Sequence, residues 1–407
     1  MSPSSARRVV ITGLGAVSSI GANVAEHLAS LKAGTVGIGP TRLMDGAQLR
    51  VKCFAEVADF DPDAWFDTRQ RGLMDRNSEL ALVAAREAVA QAGDALDGLP
   101  PEKAGVIYGA SVGFQSIEDG YRRLNATPPG RPHPFTVPRS MPSSSASQIS
   151  MAHKVLGPSF AVASACSSAS HAIGLSFQMI RAGLIDVALS GGSEAPHTPG
   201  LSKSWEALRV LSPDGCRPFS ADRNGLVLGE AGGVVVLEEL ERARARGAEI
   251  LAEVVGFGMS ADGNDITAPD GTSTARAMRL ALADAGLPPE RVDYVSAHGT
   301  GTVLNDKTET AALRAVFGAR LDTLPVSSTK SMHGHCLGAA GALGVLGTVL
   351  AMREGFVPPT MGYRVPDPDC AIDCVPNAAR VHAVEHALVN AFAFGGLNAV
   401  LALKAYR

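Results

Sequence analysis

The chain contains two copies of one local pattern, and this duplication constrains its fold more than any other feature. In the first copy a helix-like stretch ends in Ala-Gly at 92–93, followed by Leu-Pro-Pro-Glu-Lys at 99–103 and an apolar run. In the second copy Ala-Gly at 285–286 precedes Leu-Pro-Pro-Glu-Arg at 287–291 and another apolar run. Because only two copies occur, the pattern predicts two related α/β halves rather than a solenoid.

A second echo supports the same division. Residues 188–192 (Ala-Leu-Ser-Gly-Gly) match 393–396 (Ala-Phe-Gly-Gly), and an apolar strand-like run follows each. We place the halves at 1–250 and 251–407. Within both, short Val/Ile/Leu runs alternate with Ala-rich stretches, which is typical of βαβ units with mainly buried parallel strands.

Local signals predict three further elements. A Ser or Thr start and a Gly stop bracket helices at 78–92 and 274–285. Residues 126–147 are rich in Pro and Ser and predict a long loop.

Cys166 opens an apolar helix in the run Ser-Ala-Cys-Ser-Ser-Ala at 164–169. The unpaired N–H groups of a first helical turn and the positive end of the helix dipole favour thiolate, so we expect a lowered thiol pKa and a nucleophile. The alternative is a buried Cys that acts as a small hydrophobic side chain.

Two histidine-containing segments each follow a short β-like run. Residues 297–302 read Ala-His-Gly-Thr-Gly-Thr, and residues 330–335 read Lys-Ser-Met-His-Gly-His. Side chains at strand-to-loop transitions sit on a rigid scaffold yet can point into a site. His298 and His335 are therefore candidate partners of Cys166.

A strand-like run ends in Gly13-Leu14-Gly15, which invites a dinucleotide-binding interpretation. The third Gly of that fingerprint falls at Gly21 instead of three residues on, so the motif is broken. We expect a tight chain reversal here instead.

Taken with the Cys166 and histidine segments, residues 9–15, 217–220 (Arg-Pro-Phe-Ser) and 392–396 (Phe-Ala-Phe-Gly-Gly) complete a set of motifs in one order along the chain. This set resembles the β-ketoacyl-acyl carrier protein synthases, condensing enzymes of the thiolase-like fold. The resemblance implies an α/β thiolase-like fold in which duplicated βαβ halves form a five-layered α-β-α-β-α core. It also implies decarboxylative Claisen condensation of an acyl thioester with malonyl-acyl carrier protein in fatty-acid, polyene or polyketide biosynthesis.

The resemblance also implies roles for individual residues. Cys166 matches the nucleophile that carries the acyl group, His298 and His335 match the donors that stabilise an enolate, and Lys330 matches a supporting lysine paired with Glu309. The remaining matches are an oxyanion hole and gate (the N–H groups of Cys166 and Phe394, with Gly395 and Gly396), pantetheine-binding residues (Thr300, Thr302) and an acyl pocket (Val112, Phe114).

The expected partner is acyl carrier protein, whose 4'-phosphopantetheine carries the substrates, and no permanently bound cofactor or metal is expected. The formal net charge of −4 gives no reason to expect nucleic acid. No 18-residue apolar span is expected, and residues 1–8 lack the apolar core of a signal peptide, so the expected compartment is the cytoplasm. The expected assembly is a homodimer; the alternative is a subunit of an obligate ketosynthase heterodimer with a chain-length-setting role.

Some residues near the expected site depart from the family pattern. His333 stands where Thr is usual, Ala393 where Gly is usual and Leu397 where Thr is usual, while Asn224 and Leu226 replace Asp and Phe. No catalytic side chain is lost. These departures favour a specialised synthase over a housekeeping one.

Overall fold

The computed structural model describes residues 7–407, so most of the segment 1–8 used for the signal-peptide expectation lies outside the described residues. The strands are β1 (Val9–Ser18), β2 (Gly39–Pro40), β3 (Cys53–Phe54), β4 (Ala104–Ala110), β5 (Ser159–Val162), β6 (Val187–Glu194), β7 (Ala231–Glu239), β8 (Ala252–Ala261), β9 (Tyr294–Ser296), β10 (Val326–Ser327), β11 (Phe356–Val357), β12 (Arg380–Val381), β13 (His386–Ala393) and β14 (Leu397–Ala405). The α-helices are α1 (Val24–Ala33), α2 (Thr68–Arg71), α3 (Arg76–Ala92), α4 (Phe114–Leu124), α5 (Thr136–Ser140), α6 (Ser144–His153), α7 (Ser168–Arg181), α8 (Pro199–Ala207), α9 (Leu240–Ala245), α10 (Gly271–Asp284), α11 (Val303–Phe317), α12 (Lys330–His333) and α13 (Ala340–Glu354).

Ten of these strands form one sheet in the order β10-β9-β13-β14-β8-β1-β7-β6-β4-β5. Read outward from the centre, each side has the same pairing pattern: two antiparallel contacts (β1–β7–β6 and β8–β14–β13) and then two parallel ones (β6–β4–β5 and β13–β9–β10). The two sides meet where residues 9–11 of β1 pair antiparallel with residues 252–254 of β8. The strand order is therefore that of a duplicated unit.

The first sequence echo occupies equivalent places in the two sides. Each Pro-Pro-Glu run forms a 3₁₀ turn, Pro101–Lys103 before β4 and Pro289–Arg291 before β9. The second echo is less exact, because Gly191 and Gly192 lie inside β6 whereas Gly395 and Gly396 form the turn after β13.

Helices fill three layers around the strands. Helices α7 and α13 pack against each other between the two sides of the sheet, α3 and α6 cover the outer face of one side, and α10 and α11 cover the outer face of the other. Separate apolar clusters occupy the central layer and the two outer interfaces. This is the expected five-layered α-β-α-β-α core.

The helices predicted at 78–92 and 274–285 are present as α3 and α10, each beginning two or three residues earlier because an Asp side chain caps it. The loop predicted at 126–147 is wrong in part. It contains α5 and the beginning of α6.

The interpretation of Gly13 and Gly15 as a chain reversal is wrong, because both residues lie inside β1. A Cβ added at Gly15 would stand 1.8 Å from the carbonyl oxygen of Ala84, and one at Gly13 would stand 2.1 Å from that of Ala88. The two glycines let the α3 backbone pack directly on the strand.

The expectation of no apolar span is also wrong. Leu337–Glu354, which ends with α13, has a mean hydropathy of 1.2 over 18 residues. Because 78% of this stretch is buried inside the fold, it serves as a core helix of the central layer.

Candidate active site

A cavity of about 490 Å³ is lined by residues from both halves of the chain. Its wall contains seven of the residues to which the family resemblance gives a role, namely Cys166, His298, Thr300, Thr302, His335, Phe394 and Gly396, and two of the departures from the family pattern, Leu226 and Ala393. Cys166 and Leu226 come from one half of the chain and the others come from the second half. The duplicated fold therefore brings the thiol and both imidazoles to one place.

Cys166 lies in a tight turn that precedes α7 rather than in the helix itself. The turn is a 3₁₀ segment, Ala165–Ser167, entered through Ala165 at φ +49°, a conformation that is strained for a residue with a side chain. The Ser168 hydroxyl accepts from the N–H of Ser164 (2.9 Å) and donates to the carbonyl of Ala165 (2.7 Å). This local bonding holds the strained turn that presents the thiol.

Ser167 connects this turn to the other half of the fold. Its hydroxyl lies 2.9 Å from the carbonyl oxygen of Ala391 and 2.7 Å from that of Leu397, one on each side of the turn between β13 and β14. The nucleophile turn and the Phe394 loop are thus fixed to each other.

The predicted lowering of the Cys166 pKa is wrong in direction. Burial raises the pKa of this thiol to about 11, and the nearby Lys330 charge and the N–H of Phe394 oppose that rise without overcoming it. The thiol packs in an apolar cluster that includes Leu226 and Leu337, which explains why desolvation dominates. The resting group is the neutral thiol.

His298 lies in the loop after β9, and two carboxylates of α11 hold that loop. Glu309 accepts from the N–H of His298 (2.8 Å) and of Gly299 (2.7 Å), and Asp306 accepts from the N–H of Gly301 (3.2 Å). Both carboxylates are buried. These hydrogen bonds fix the backbone of the loop at His298, Gly299 and Gly301.

His335 is fixed through its backbone and its ring. Its N–H donates to Val227 (2.7 Å), its carbonyl accepts from Gly229 (3.0 Å), and its Nδ1 accepts from the N–H of Leu337 (3.3 Å). Because Nδ1 accepts, the proton of the neutral ring is on Nε2. His335 therefore presents an N–H donor.

The two imidazoles form an edge-to-face pair with ring centroids 5.3 Å apart. Burial lowers the pKa of both well below the ordinary value, and the Lys330 charge lowers each further. Both rings are therefore neutral at physiological pH. Within residues 7–407, Nδ1 of His298 has no hydrogen-bond partner.

The expectation that Lys330 pairs with Glu309 is wrong as a direct ion pair. Within the described chain no carboxylate lies within 4 Å of the Lys330 ammonium, and Glu309 is taken up by backbone N–H groups and by Asn390 Nδ2 (3.1 Å). Glu309 acts on Lys330 at longer range, raising a pKa that burial lowers. Its direct contacts make it a support of the His298 loop.

Aromatic and polar side chains form the wall toward the exterior. The Trp205 and Phe394 rings stack with centroids 6.1 Å apart and planes at 23°. The Gly395 N–H donates to the Ile266 carbonyl (2.7 Å), and the hydroxyls of Thr300 and Thr302 are 2.8 Å apart. An apolar wall with two hydroxyls suits an extended chain with amide groups.

Val112 and Phe114 are not part of this cavity wall. They follow β4, where the neighbouring Ser111 hydroxyl donates to the buried Glu194. Their assignment to an acyl pocket stays a prediction.

Sequence reasoning missed three contributors to the site: Asp306, Asn390 and Trp205. The spacing of Asp306 and Glu309, three residues apart on one helix, was a usable signal because it puts both carboxylates on one face. Asn390 and Trp205 carried no signal, since their contacts with Glu309 and Phe394 cross between distant elements. Among residues 7–407, no group of three or more His, Cys, Asp or Glu side chains is placed to bind a metal ion.

Comparison with known proteins finds one family along the chain. Residues 6–243 match the family model "Beta-ketoacyl synthase, N-terminal domain", and residues 251–364 match "Beta-ketoacyl synthase, C-terminal domain". Nodulation protein E of Rhizobium sp. (strain N33) is 48% identical over 98% of this chain and 99% of its own. The 3-oxoacyl-[acyl-carrier-protein] synthase 2 of Synechocystis sp. (strain ATCC 27184 / PCC 6803 / Kazusa) is 38% identical over the same shares. The solved structure of the ishigamide ketosynthase/chain length factor superposes with a TM-score of 0.94 at 39% identity, covering 99% of this chain and 100% of that one.

Proposed function

Since the chain belongs to the β-ketoacyl synthase family, whose members are acyl-transferring condensing enzymes, we propose that it joins an acyl group to a malonyl-derived unit by way of an acyl-Cys166 intermediate. The observation that supports this most is the convergence of one thiol and two neutral imidazoles on a single cavity. The substrates are thioesters on the phosphopantetheine of acyl carrier protein.

In the first step the Cys166 sulfur attacks the thioester carbonyl of the acyl carrier. The Cys–S–acyl bond forms, the bond to the carrier sulfur breaks, and the thiol proton ends on the released carrier thiol. The N–H groups of Cys166 and Phe394 both act on the sulfur in the resting site, so they are close to where the carbonyl oxygen would gain charge.

In the second step the malonyl carrier loses its carboxylate. The bond to the carboxyl carbon breaks, CO₂ leaves, and the electron pair forms an enolate whose oxygen is negative. His298 and His335 stabilise that oxygen as N–H donors. Neutral imidazoles suit this role because each ring keeps its N–H proton throughout the step. Lys330 adds positive charge nearby.

In the third step the enolate carbon attacks the carbonyl of the Cys166 thioester. The new carbon–carbon bond forms as the Cys166 sulfur leaves as thiolate, and that sulfur takes up a proton from solvent to restore the neutral thiol. The product is a β-ketoacyl group on the carrier, longer by two carbons. The sequence of bonds made and broken needs no redox cofactor or metal.

The entrance supports the remaining assignments. Thr300 and Thr302 bind the pantetheine amides, and Phe394 with Gly395 and Gly396 gates the passage, with Trp205 as the ring against which Phe394 rests. Glu309 holds the His298 loop.

We place the enzyme in the cytoplasm, with no permanently bound cofactor, and treat 1–250 and 251–407 as its two domains. A homodimer is the simplest assembly. The alternative, a heterodimer with a chain-length-setting partner, is kept because one similar structure is named a ketosynthase/chain length factor.

The test is intact-protein and peptide mass spectrometry. The purified protein is mixed with acyl carriers of graded length and then with malonyl carrier. An acyl adduct on the Cys166 peptide, lost on malonyl addition with release of a β-ketoacyl carrier, is the expected result and also reads out the preferred primer. An adduct on another residue, or product formed by a Cys166→Ala variant, would contradict the proposal.

A further inference from the structure

His333 is buried beside His335, and the reaction steps above give it no role. Nδ1 of its ring is 2.9 Å from the carbonyl oxygen of Gly334, and its Nε2 is 2.9 Å from the hydroxyl of Thr329. Since a carbonyl only accepts, Nδ1 carries the proton, and Nε2 accepts from Thr329. Both nitrogens are satisfied in one tautomer of a neutral ring.

The carbonyl that His333 binds belongs to the peptide unit that enters His335. The N–H of the same peptide unit is that of His335, and it donates to Val227 (2.7 Å). Gly334 has φ +67°, a conformation open to glycine, so the chain itself does little to fix this peptide plane. The plane is fixed by hydrogen bonds at its two polar atoms, and His333 supplies one of them.

We propose that His333 is a positioning residue: by binding the Gly334 carbonyl it fixes the peptide plane before His335, and with it the direction in which Nε2 of His335 donates. This inference rests on the proposed function, in which that donor stabilises the enolate. It concerns the decarboxylation step and not the acylation of Cys166.

Surrounding contacts keep His333 in this state. The Cys336 thiol donates to the His333 carbonyl (3.3 Å), which closes the segment on itself. Burial lowers the pKa of His333 to about 3, with the nearby His27 and Lys330 adding to the effect. The ring therefore stays neutral, and its donor stays available, throughout the pH range of an enzyme assay.

Two substitutions of similar shape separate the hydrogen bond from packing. His333→Asn places an amide N–H near the position of Nδ1, whereas His333→Leu has the same branching but no donor. Both leave similar space where the imidazole was. The Asn and Leu proteins are compared with wild type in acylation of Cys166 by an acyl carrier, measured by mass spectrometry, and in CO₂ release from malonyl carrier.

We expect the Leu variant to release CO₂ about tenfold more slowly, which corresponds to one lost neutral hydrogen bond, and the Asn variant to stay within about threefold of wild type. Acylation is expected to change in neither. Equal CO₂ release by the Asn and Leu variants, or equal losses in both steps, would overturn the inference and leave only a packing role.

Thr329→Val covers the case in which His333→Leu does not fold. This variant keeps the shape at 329 but leaves Nε2 of His333 without its hydrogen-bond donor, so the ring is held less firmly against the Gly334 carbonyl. Slower CO₂ release with normal acylation is expected, and no change would count against the inference. The wild-type control separates a failure of the proposed function from a failure of this inference. Wild-type protein that neither acylates nor releases CO₂ overturns the proposed function and this inference together, whereas an active wild type with indifferent variants overturns this inference alone.

Discussion

Replacing Glu309 with Gln removes one of the two acceptor atoms that hold the His298 loop. Oε1 accepts from the His298 N–H (2.8 Å) and from Asn390 (3.1 Å), and Oε2 accepts from the Gly299 N–H (2.7 Å). The Gln oxygen would keep the site with two donors. Its NH₂ group would then face the Gly299 N–H, which loses its partner.

The size of the effect follows from that geometry. One hydrogen bond to a charged acceptor contributes about 1.5–3 kcal/mol, but burial raises the pKa of Glu309, so the neutral side chain regains part of the desolvation cost. We expect the free energy of unfolding to fall by about 2 kcal/mol. If the same free energy is lost from the stabilisation of the transition state because His298 is displaced, CO₂ release slows about thirtyfold.

The assays are urea unfolding and CO₂ release from malonyl carrier, with Asp306→Asn as the matched control. Asp306 is also a buried carboxylate of α11, but it accepts from the N–H groups of Phe219 and Gly301, so its variant should raise the KM for the carrier more than it lowers the rate of CO₂ release. A Glu309→Gln protein with wild-type stability and wild-type CO₂ release would refute the argument that this carboxylate positions His298.

Three further outcomes are expected. Cys166→Ala should form no acyl adduct with any carrier yet keep the fold, and an adduct in that variant would place the nucleophile elsewhere. His27 and His333 have pKa values lowered by burial to about 4 and about 3, so the unfolded chain binds protons first and stability falls as pH drops below about 6.5. At pH 4.5 each histidine is expected to lower the free energy of unfolding by roughly 2–3 kcal/mol, measured by urea unfolding at pH 7 and 4.5, and equal stabilities would contradict this burial. Val112→Phe should shorten the accepted primer in the graded acyl-carrier assay, and an unchanged preference would end the acyl-pocket assignment.

The features that the sequence predicted best are those that depend on short segments of adjacent residues. The repeated Pro-Pro-Glu turn indicated a duplicated unit, and it occupies equivalent places before β4 and β9. The Cys166, His298 and His335 segments each carry a recognisable local pattern, so their convergence could be expected from the family resemblance. In each case a few adjacent residues hold the information.

The features that sequence missed depend on contacts between distant segments. The Cys166 pKa is raised because residues such as Leu226 and Leu337 desolvate the thiol, an effect that a local helix-dipole argument does not include. Glu309 turns to backbone N–H groups instead of forming an ion pair with Lys330, because the loop it supports lies closer. Gly15 serves the close packing of α3, which only the tertiary structure reveals.

The Ser167 hydroxyl bond to the carbonyls on both sides of the Phe394 turn has a mechanical consequence. Both stems of the turn are thereby held against the residue next to Cys166 by one shared hydroxyl, so they act as a frame around the tip at 394–396. If the tip is the gate, as proposed, its movements would leave the sulfur in register with the imidazoles. The Phe394 N–H travels with the tip, so a displaced tip would leave the proposed oxyanion hole incomplete, and admission would be coupled to bond formation.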